Sequence, residues 1–268
     1  MNHVIESIKA PNTDAHANTL KVVCMSDKGL VRLENEDNFA CDRDSGLLVL
    51  ADGMGGGPTG EVASAIAVST VMRELRKNSP VASKSEQPNN GALNPLMTAL
   101  CNAVSKANRE ILDVSLQESR HAGMGTTLLV AWFTGERLMV ANVGDSRLYL
   151  LRDNTLMQIT VDHTLLQEQL ELGYLPRDDA HRVAARSTLT RAVGTEPNVT
   201  VDIFEQSVCA GDIVLLCSDG LYDMLEDVEI RSVLIRTGQD IDLAAQELIR
   251  EAIARGGVDN VTVMLAKH

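Results

Sequence analysis

The sequence predicts an α+β fold whose short antiparallel strands end in acids. Three observations point there. Leu128 to Phe133, Leu138 to Val143, Arg147 to Leu151 and Leu156 to Ile159 follow one another at hairpin spacing, the pattern of an antiparallel meander. Two longer stretches, from Glu61 to about Lys77 and from Leu96 to about Leu116, instead repeat apolar residues every three and four positions, the period of amphipathic helices. An apolar strand running into Asp-Gly and then a helix occurs twice, at Leu47 to Gly53 and at Ile213 to Gly220. A chain of 268 residues is long enough for a sizeable core, in one large domain or two.

In chain order, residues 1–18 are polar and unpatterned, a short extension ahead of a domain over residues 19–268. Leu20 to Met25 reads as the first strand, with Ser26-Asp27-Lys28-Gly29 as turn material. Val31 to Asn38 then concentrates charge between two strand-like segments, which in isolation marks a solvated loop. In an extended chain the adjacent Glu36 and Asp37 face opposite sides, so at most one readily faces a given metal directly. Phe39 to Asp42 and Leu47 to Leu50 form a hairpin across Arg43-Asp44-Ser45-Gly46, which brings Glu36 and Asp37 toward the sheet end that carries Asp52.

After the first helix, Asn78 to Pro95 has the Ser, Pro, Asn and Gly content of a mobile surface connection. The second helix places Leu96, Leu100, Val104, Ala107, Ile111 and Val114 on one stripe. Asp145, in Val-Gly-Asp-Ser-Arg between two strands, reads as turn chemistry first. Val161 to about Ser187 is mostly helical and polar, with Asp162, His163, His181 and Arg186. A lone histidine at a helix start is more often a hydrogen-bonded structural residue than a ligand. No second histidine stands at ligand spacing, so zinc is not indicated. Helices at about Asp227 to Arg236 and Asp242 to Ala254 lead to Gly256-Gly257-Val258-Asp259-Asn260 and a last strand, Val261 to Leu265. Asp259 therefore also borders a strand end.

The stretch LLVLADGMGGGPTGEVAS, Leu47 to Ser64, sets the chemistry. A buried strand delivers Asp52 to an edge and the glycines keep side chains away from it, which leaves room for phosphate or a hydrated cation and lets backbone approach. A lone Asp-Gly after a strand is most often a hairpin turn, but here a helix follows. Gly55, Gly57 and Gly60 fit G-x-G-x-x-G, yet the helix leads to a polar linker and another helix where a dinucleotide site needs a strand with a ribose-binding acid. No Lys-Ser/Thr follows the glycines, which excludes a P-loop.

Composition narrows the classes. With 44% hydrophobic and 23% charged residues the chain is an ordinary globular one. Aromatics make up only 3%, so nothing suggests base stacking, and a formal net charge of -13 opposes nucleic acid and anionic membrane. Cys24, Cys41, Cys101, Cys209 and Cys217 show no C-x-x-C spacing and read as buried free thiols in a reducing compartment. The first residues lack the pattern of a signal peptide and no apolar run reaches membrane-spanning length, so a cytoplasmic location is expected.

Glu36, Asp37, Asp52, Asp219 and Asp259 are scattered along the chain, yet each borders a predicted strand. All-oxygen ligands select hard cations, Mg²⁺ or Mn²⁺, which keep several waters. Five acids gathered together stay ionised only with cations among them. Two cations about 3.5–4 Å apart activate a water and clamp the oxygens of an in-line displacement at phosphorus. Arg32 is the natural partner of the non-bridging phosphate oxygens, which a guanidinium grips bidentately.

Arg32-Leu33-Glu34-Asn35-Glu36-Asp37-Asn38, Ala51-Asp52-Gly53-Met54-Gly55-Gly56, Gly123-Met124-Gly125-Thr126-Thr127, Val143-Gly144-Asp145-Ser146-Arg147, Leu189-Thr190-Arg191-Ala192-Val193-Gly194, Ser218-Asp219-Gly220-Leu221 and Asp259-Asn260-Val261-Thr262 occur in that order. Together they resemble the PP2C-type metal-dependent protein phosphatase (PPM) family, in its bacterial branch, from about Leu20 to Leu265. The resemblance implies an α-β-β-α sandwich, two central antiparallel sheets flanked by helices. It implies hydrolysis of phosphoserine and phosphothreonine with two Mn²⁺ or Mg²⁺ ions and no covalent enzyme intermediate. Arg32, Asp52 and Asp219 would be catalytic. By position Asp52 would bridge both metals, Gly53 would offer its carbonyl oxygen, Glu36, Asp219 and Asp259 would complete the metal shell, and Asp37 would act mainly through water. Arg32 would hold the phosphate. Thr164 to Ser187 matches the family's variable flap beside the site. Phosphorylated proteins are the implied substrates, and a Ser/Thr kinase and its targets the implied partners of a monomer.

Two departures stand out. Some eukaryotic members carry a histidine directly after the Asp-Gly that corresponds to Asp52-Gly53; here it is Met54, and leaving-group protonation would fall to water. Bacterial members often bind a third metal with an acid near Gly-Met-Gly-Thr-Thr; here Glu118-Ser119-Arg120-His121-Ala122 precedes that segment with no aspartate, and the third site stays open. The rival outside enzymology is a catalytically silent phosphopeptide reader of the same fold, against which intact Arg32, Asp52, Asp219 and Asp259 argue. A metal-dependent phosphodiesterase or nuclease could use such acids, but the net charge and the lack of a basic stripe disfavour it.

Overall fold

The computed structural model describes residues 20–56, 58–77, 94–174 and 188–268. The chain opens with strands β1 (Lys21–Asp27), β2 (Asp37–Asp42) and β3 (Leu47–Met54), followed by helices α1 (Pro58–Lys77) and α2 (Pro95–Gln117). Strands β4 (Gly125–Thr126), β5 (Leu128–Thr134), β6 (Arg137–Val143), β7 (Arg147–Arg152) and β8 (Thr155–Gln158) come next, then helix α3 (Leu165–Glu171). The last third holds β9 (Asp202–Ser207), β10 (Ile213–Cys217), α4 (Asp219–Tyr222), α5 (Asp227–Arg236), α6 (Ile241–Ala254) and β11 (Val261–Lys267).

Two antiparallel sheets result. One has the order β1-β11-β10-β7-β8; the other has β2-β3-β5-β6-β9, with β4 pairing β3. Period-2 alternation divides each strand between two layers. In β3, Leu48 and Leu50 face the other sheet and pack with Leu129, Leu150, Leu216 and Met264, while Leu47 and Val49 face α1 and α2 and pack with Leu75, Leu100 and Ile111. The other sheet likewise turns Val23, Leu215 and Val263 toward Ile230, Val233 and Leu248 of α5 and α6. Burying each such side chain contributes roughly 1.5–3 kcal/mol, which makes this four-layer sandwich the dominant solution for strands that are apolar on both faces. The α-β-β-α architecture expected from the resemblance is the one observed.

Helix α2 begins one residue earlier than expected, at Pro95, and is capped by Asn94, whose side chain accepts from the Leu96 N–H. α1 begins three residues before Glu61, at Pro58, and β3 extends past Leu50, so Asp52 and Gly53 lie within the strand. The meander is corrected. β5-β6 belongs to one sheet and β7-β8 to the other, because the chain crosses between sheets at Gly144-Asp145-Ser146. A three-residue connection serves a hairpin or a change of sheet equally well, and spacing does not distinguish them. β9 escaped the sequence reading because it is a half-exposed edge strand, DIFEQS, with only two large apolar residues. Of Val161 to Ser187, only Leu165–Glu171 is helical among the described residues, and Asp162 and His163 precede that helix. The N-terminal extension, most of the Asn78 to Pro95 connection, His181 and Arg186 lie outside the described residues.

Candidate active site

The ends of β3, β10 and β11 open on one cleft of about 1200 Å³, and Arg32, Glu36, Asp52, Gly53, Asp219 and Asp259 all line it. Asp52 is held by its main chain. Its N–H donates to Thr127 Oγ1 at 2.9 Å, and its carbonyl accepts from the Thr127 N–H and Thr126 Oγ1, both at 2.8 Å. These contacts explain the paired threonines after Gly125, and they leave the Asp52 carboxylate to the cleft.

Glu36 and Asp37 separate to opposite sides. Asp37 is buried, and its Oδ2 accepts from Ser218 Oγ at 2.8 Å and Thr262 Oγ1 at 2.6 Å. It does not line the cleft, and its Oδ1 is buried with no hydrogen-bond partner among the described residues. The Glu36 carboxylate instead lies over the first turn of α1, where a Cβ on Gly60 would overlap Glu36 Oε2. The Gly53 N–H donates to the Glu36 carbonyl at 3.2 Å, which fastens the acidic loop to the end of β3.

Asp219 begins α4, and its Oδ1 is also buried without a partner. A Cβ on Gly220 would overlap the Asn260 carbonyl, so the absence of a side chain lets the two Asp-bearing loops meet. Asn260 ties the assembly together: its Oδ1 accepts from the Glu36 N–H at 2.9 Å, and its Nδ2 donates to the carbonyls of Lys28 at 3.0 Å and Glu34 at 2.9 Å. Arg32 pairs with Asp259, Nη2 to Oδ2 at 2.6 Å.

The electrostatics match this crowding. Burial first, and then Asp37, Asp219, Asp145 and Asp259, holds the Asp52 carboxyl well above the usual carboxylate range. Burial and then Asp145 and Asp259 do the same to Asp219. Burial pushes Asp37 up to about 6 although Thr262 and Ser218 pull the other way. Glu36 is raised by burial, with Arg32 opposing.

Asp145 is the acid that sequence reasoning placed second to a turn. It is buried, lines the cleft and is raised to about 6, by burial and then by Asp162. Its support comes from α4 and from the arginine of the same motif: Tyr222 Oη donates to the Asp145 carbonyl at 3.0 Å, and Arg147 lies over the Tyr222 ring while pairing with Asp162 at 2.6 Å. The missed signal was the position of Val-Gly-Asp-Ser-Arg between two apolar strands that need not pair with each other. Asn260 was visible only as the neighbour of Asp259. His163 is structural, its Nδ1 accepting from the Gly144 N–H at 3.0 Å and its Nε2 lying 3.1 Å from Asp202 Oδ2. Glu118 pairs with Arg120, and neither Glu118 nor His121 lines the cleft, so these residues supply no third metal site there.

Hard cations fit this donor set. The two orphaned carboxylate oxygens and the mutually repelling acids call for positive charge. Among the described residues no group of three acidic, histidine or cysteine side chains converges as a ready-made metal cage. A hard cation such as Mg²⁺ needs no such cage, because it keeps several waters and binds through one or two carboxylates.

The sequence profile of the family described as protein phosphatase 2C matches residues 31–246. The chain belongs to the protein phosphatase 2C family. It is therefore a metal-dependent protein phosphatase. Its sequence is 35% identical to the serine/threonine phosphatase Stp of Listeria welshimeri over 246 residues, 91% of this chain and 94% of that protein. The crystal structure of the Mycobacterium tuberculosis serine/threonine phosphatase PstP/Ppp superposes with a TM-score of 0.81 at 38% identity, covering 93% of this phosphatase and 98% of that chain. The catalytic domain of PstP in complex with two manganese ions superposes at 0.77 with 37% identity, over 93% and 98%.

Proposed function

We propose that this phosphatase hydrolyses phosphoserine and phosphothreonine in proteins at the Asp52 cleft, by direct attack of water. The carrying observation is the set of acids that repel one another around Asp52 in a cleft with Arg32 at its mouth. When bound, two Mn²⁺ or Mg²⁺ ions supply an activated water and neutralise phosphoryl oxygens. Asp52, the Gly53 carbonyl and the carboxylates of Glu36, Asp219 and Asp259 would hold them. Asp37, already engaged by Ser218 and Thr262, would act through water. Asp145 adds negative charge on the same wall.

Arg32 would grip the phosphate. Its pair with Asp259 is half-exposed and worth about 0–1 kcal/mol, so a phosphate dianion displaces it readily. Residues 19–268 would form one catalytic domain, with 164–187 as its flap. In support, Thr164 bridges Leu189, and Leu189, Thr190 and Arg191 line the cleft. The bacterial relatives and five free cysteines support a cytoplasmic monomer that opposes a Ser/Thr kinase and its targets. Among the described residues no helix is long and apolar enough to cross a membrane.

The test offers the Mn²⁺-loaded protein phosphothreonine and phosphoserine peptides alongside duplex DNA. Phosphate release from the peptides with intact DNA is the expected result. DNA cleavage, or binding of the peptides without turnover, contradicts it.

A further inference from the structure

Strands β1 and β2 belong to different sheets and meet at one edge of the sandwich. Val22 and Cys24 of β1, two residues apart, share the inter-sheet layer with Phe39 and Cys41 of β2. Arg43, two residues past Cys41, donates from Nη2 to the Val22 carbonyl at 2.6 Å, which pins the strands together one side-chain position away from the cysteines. Cys24 and Cys41 are therefore neighbours across the two strands. Cys24 is buried, whereas Cys41 is partly exposed. The neighbouring Cys24 thiol, assisted by Arg43 and Arg76 and opposed by burial and Asp42, draws the Cys41 thiol down to about 7. The Cys41 thiol and burial push Cys24 up. A solvent-reaching sulfur of thiolate character against a buried partner is the arrangement of an attacking and a resolving thiol.

We propose that Cys24 and Cys41 are a redox-active dithiol that a peroxide converts to a disulfide joining the two sheets. The Cys41 thiolate attacks one peroxide oxygen, the O–O bond breaks, and the departing hydroxide takes a proton to become water, leaving Cys41 as a sulfenic acid. Cys24 gives up its proton and attacks the Cys41 sulfur; the S–S bond forms, the S–O bond breaks, and a second water leaves. Two thiols lose two electrons to one peroxide, and excess small-molecule thiol reverses the bond by exchange. The closed ring contains Arg32, Glu36 and Asp37, so, resting here on the proposed function, oxidation tethers the segment that grips phosphate and reaches the cations.

The experiment treats the full-length, Mn²⁺-loaded protein with limiting hydrogen peroxide, blocks remaining thiols with iodoacetamide and digests it with trypsin without reductant. Cleavage after Lys21, Lys28, Arg32 and Arg43 puts Cys24 in peptide 22–28 and Cys41 in peptide 33–43. The expected result is the two peptides joined, two hydrogens lighter than their sum, ahead of oxidation at exposed Cys209, and separated again by dithiothreitol. In Cys24→Ser the joined peptide disappears and Cys41 accumulates as sulfenic or sulfinic acid. Native protein in which Cys41 reaches sulfinic acid while Cys24 still alkylates, or in which Cys209 oxidises while both thiols survive, overturns the proposal. The native-chain result decides even where Cys24→Ser fails to fold. Because the readout is a covalent bond, it stands or falls separately from phosphatase activity.

Discussion

Asp37 and Asp52 stand directly opposite each other in the β2-β3 ladder. Cross-strand partners leave the sheet on the same face, so two carboxylates share one small volume, where like charges are destabilising. The fold manages this by handing Asp37 to Ser218 and Thr262 and leaving Asp52 to the cleft. The site therefore holds a repulsion that bound cations would relieve.

Asp52→Asn should make the metal-free protein more stable at neutral pH, by about 1–2 kcal/mol, while abolishing the stabilisation that Mn²⁺ gives the native chain. Thermal melts with EDTA and with Mn²⁺ measure both. A variant less stable than the native protein in EDTA would contradict the strained-cluster account.

The same acids set a pH dependence. In the metal-free protein Asp37 and Asp145 titrate at about 6. With folded pKa values above the unfolded ones, they keep protons that the unfolded chain has lost, so their stabilising contribution is full below about pH 4 and gone above about pH 6. Asp212, lowered mainly by Arg152 against burial, works in the opposite direction but titrates below this window. EDTA-treated protein should melt higher at about pH 5 than at about pH 7.5, by on the order of 1–3 kcal/mol per buried acid, and saturating Mn²⁺ should remove the difference. Equal melting at the two pH values in EDTA would count against it.

How much of this could be read in the sequence differs by residue. Asp52 and Asp219 were legible because a buried strand that ends in Asp-Gly before a helix is a local pattern. Glu36 and Asp37 were legible as an alternation. The layers of the sandwich came from the ordered motifs, since hairpin spacing treats β5 to β8 as one sheet when the chain changes sheets at Asp145. Asn260 was out of reach for a related reason. Its work lies in bonds to Lys28, Glu34 and Glu36, more than two hundred residues away in the chain, and no local pattern encodes such contacts.

Asn260→Ala removes three hydrogen bonds and leaves the buried-side N–H of Glu36 without its acceptor. A loss of about 2–3 kcal/mol of stability is expected, with weaker Mn²⁺ binding because the Glu36 loop is no longer fixed. Denaturant titration and calorimetric Mn²⁺ titration check the two effects.

Arg32→Ala should raise KM for phosphopeptide strongly and change Mn²⁺ affinity by less than about fivefold, since its exposed pair with Asp259 is worth at most about 1 kcal/mol. Arg32→Lys should recover only part of the loss, because an ammonium does not match two phosphate oxygens at once. Steady-state kinetics beside Mn²⁺ titration separates the two roles.

Phosphate release from a phosphothreonine peptide by the native protein and by Asp52→Asn, each with Mn²⁺ and with EDTA, tests the central claim most directly. Turnover only in the native protein with Mn²⁺ is the predicted result. Turnover that survives EDTA, or that survives in Asp52→Asn at the native rate, would mean that the acids around Asp52 do not hold the reacting centre.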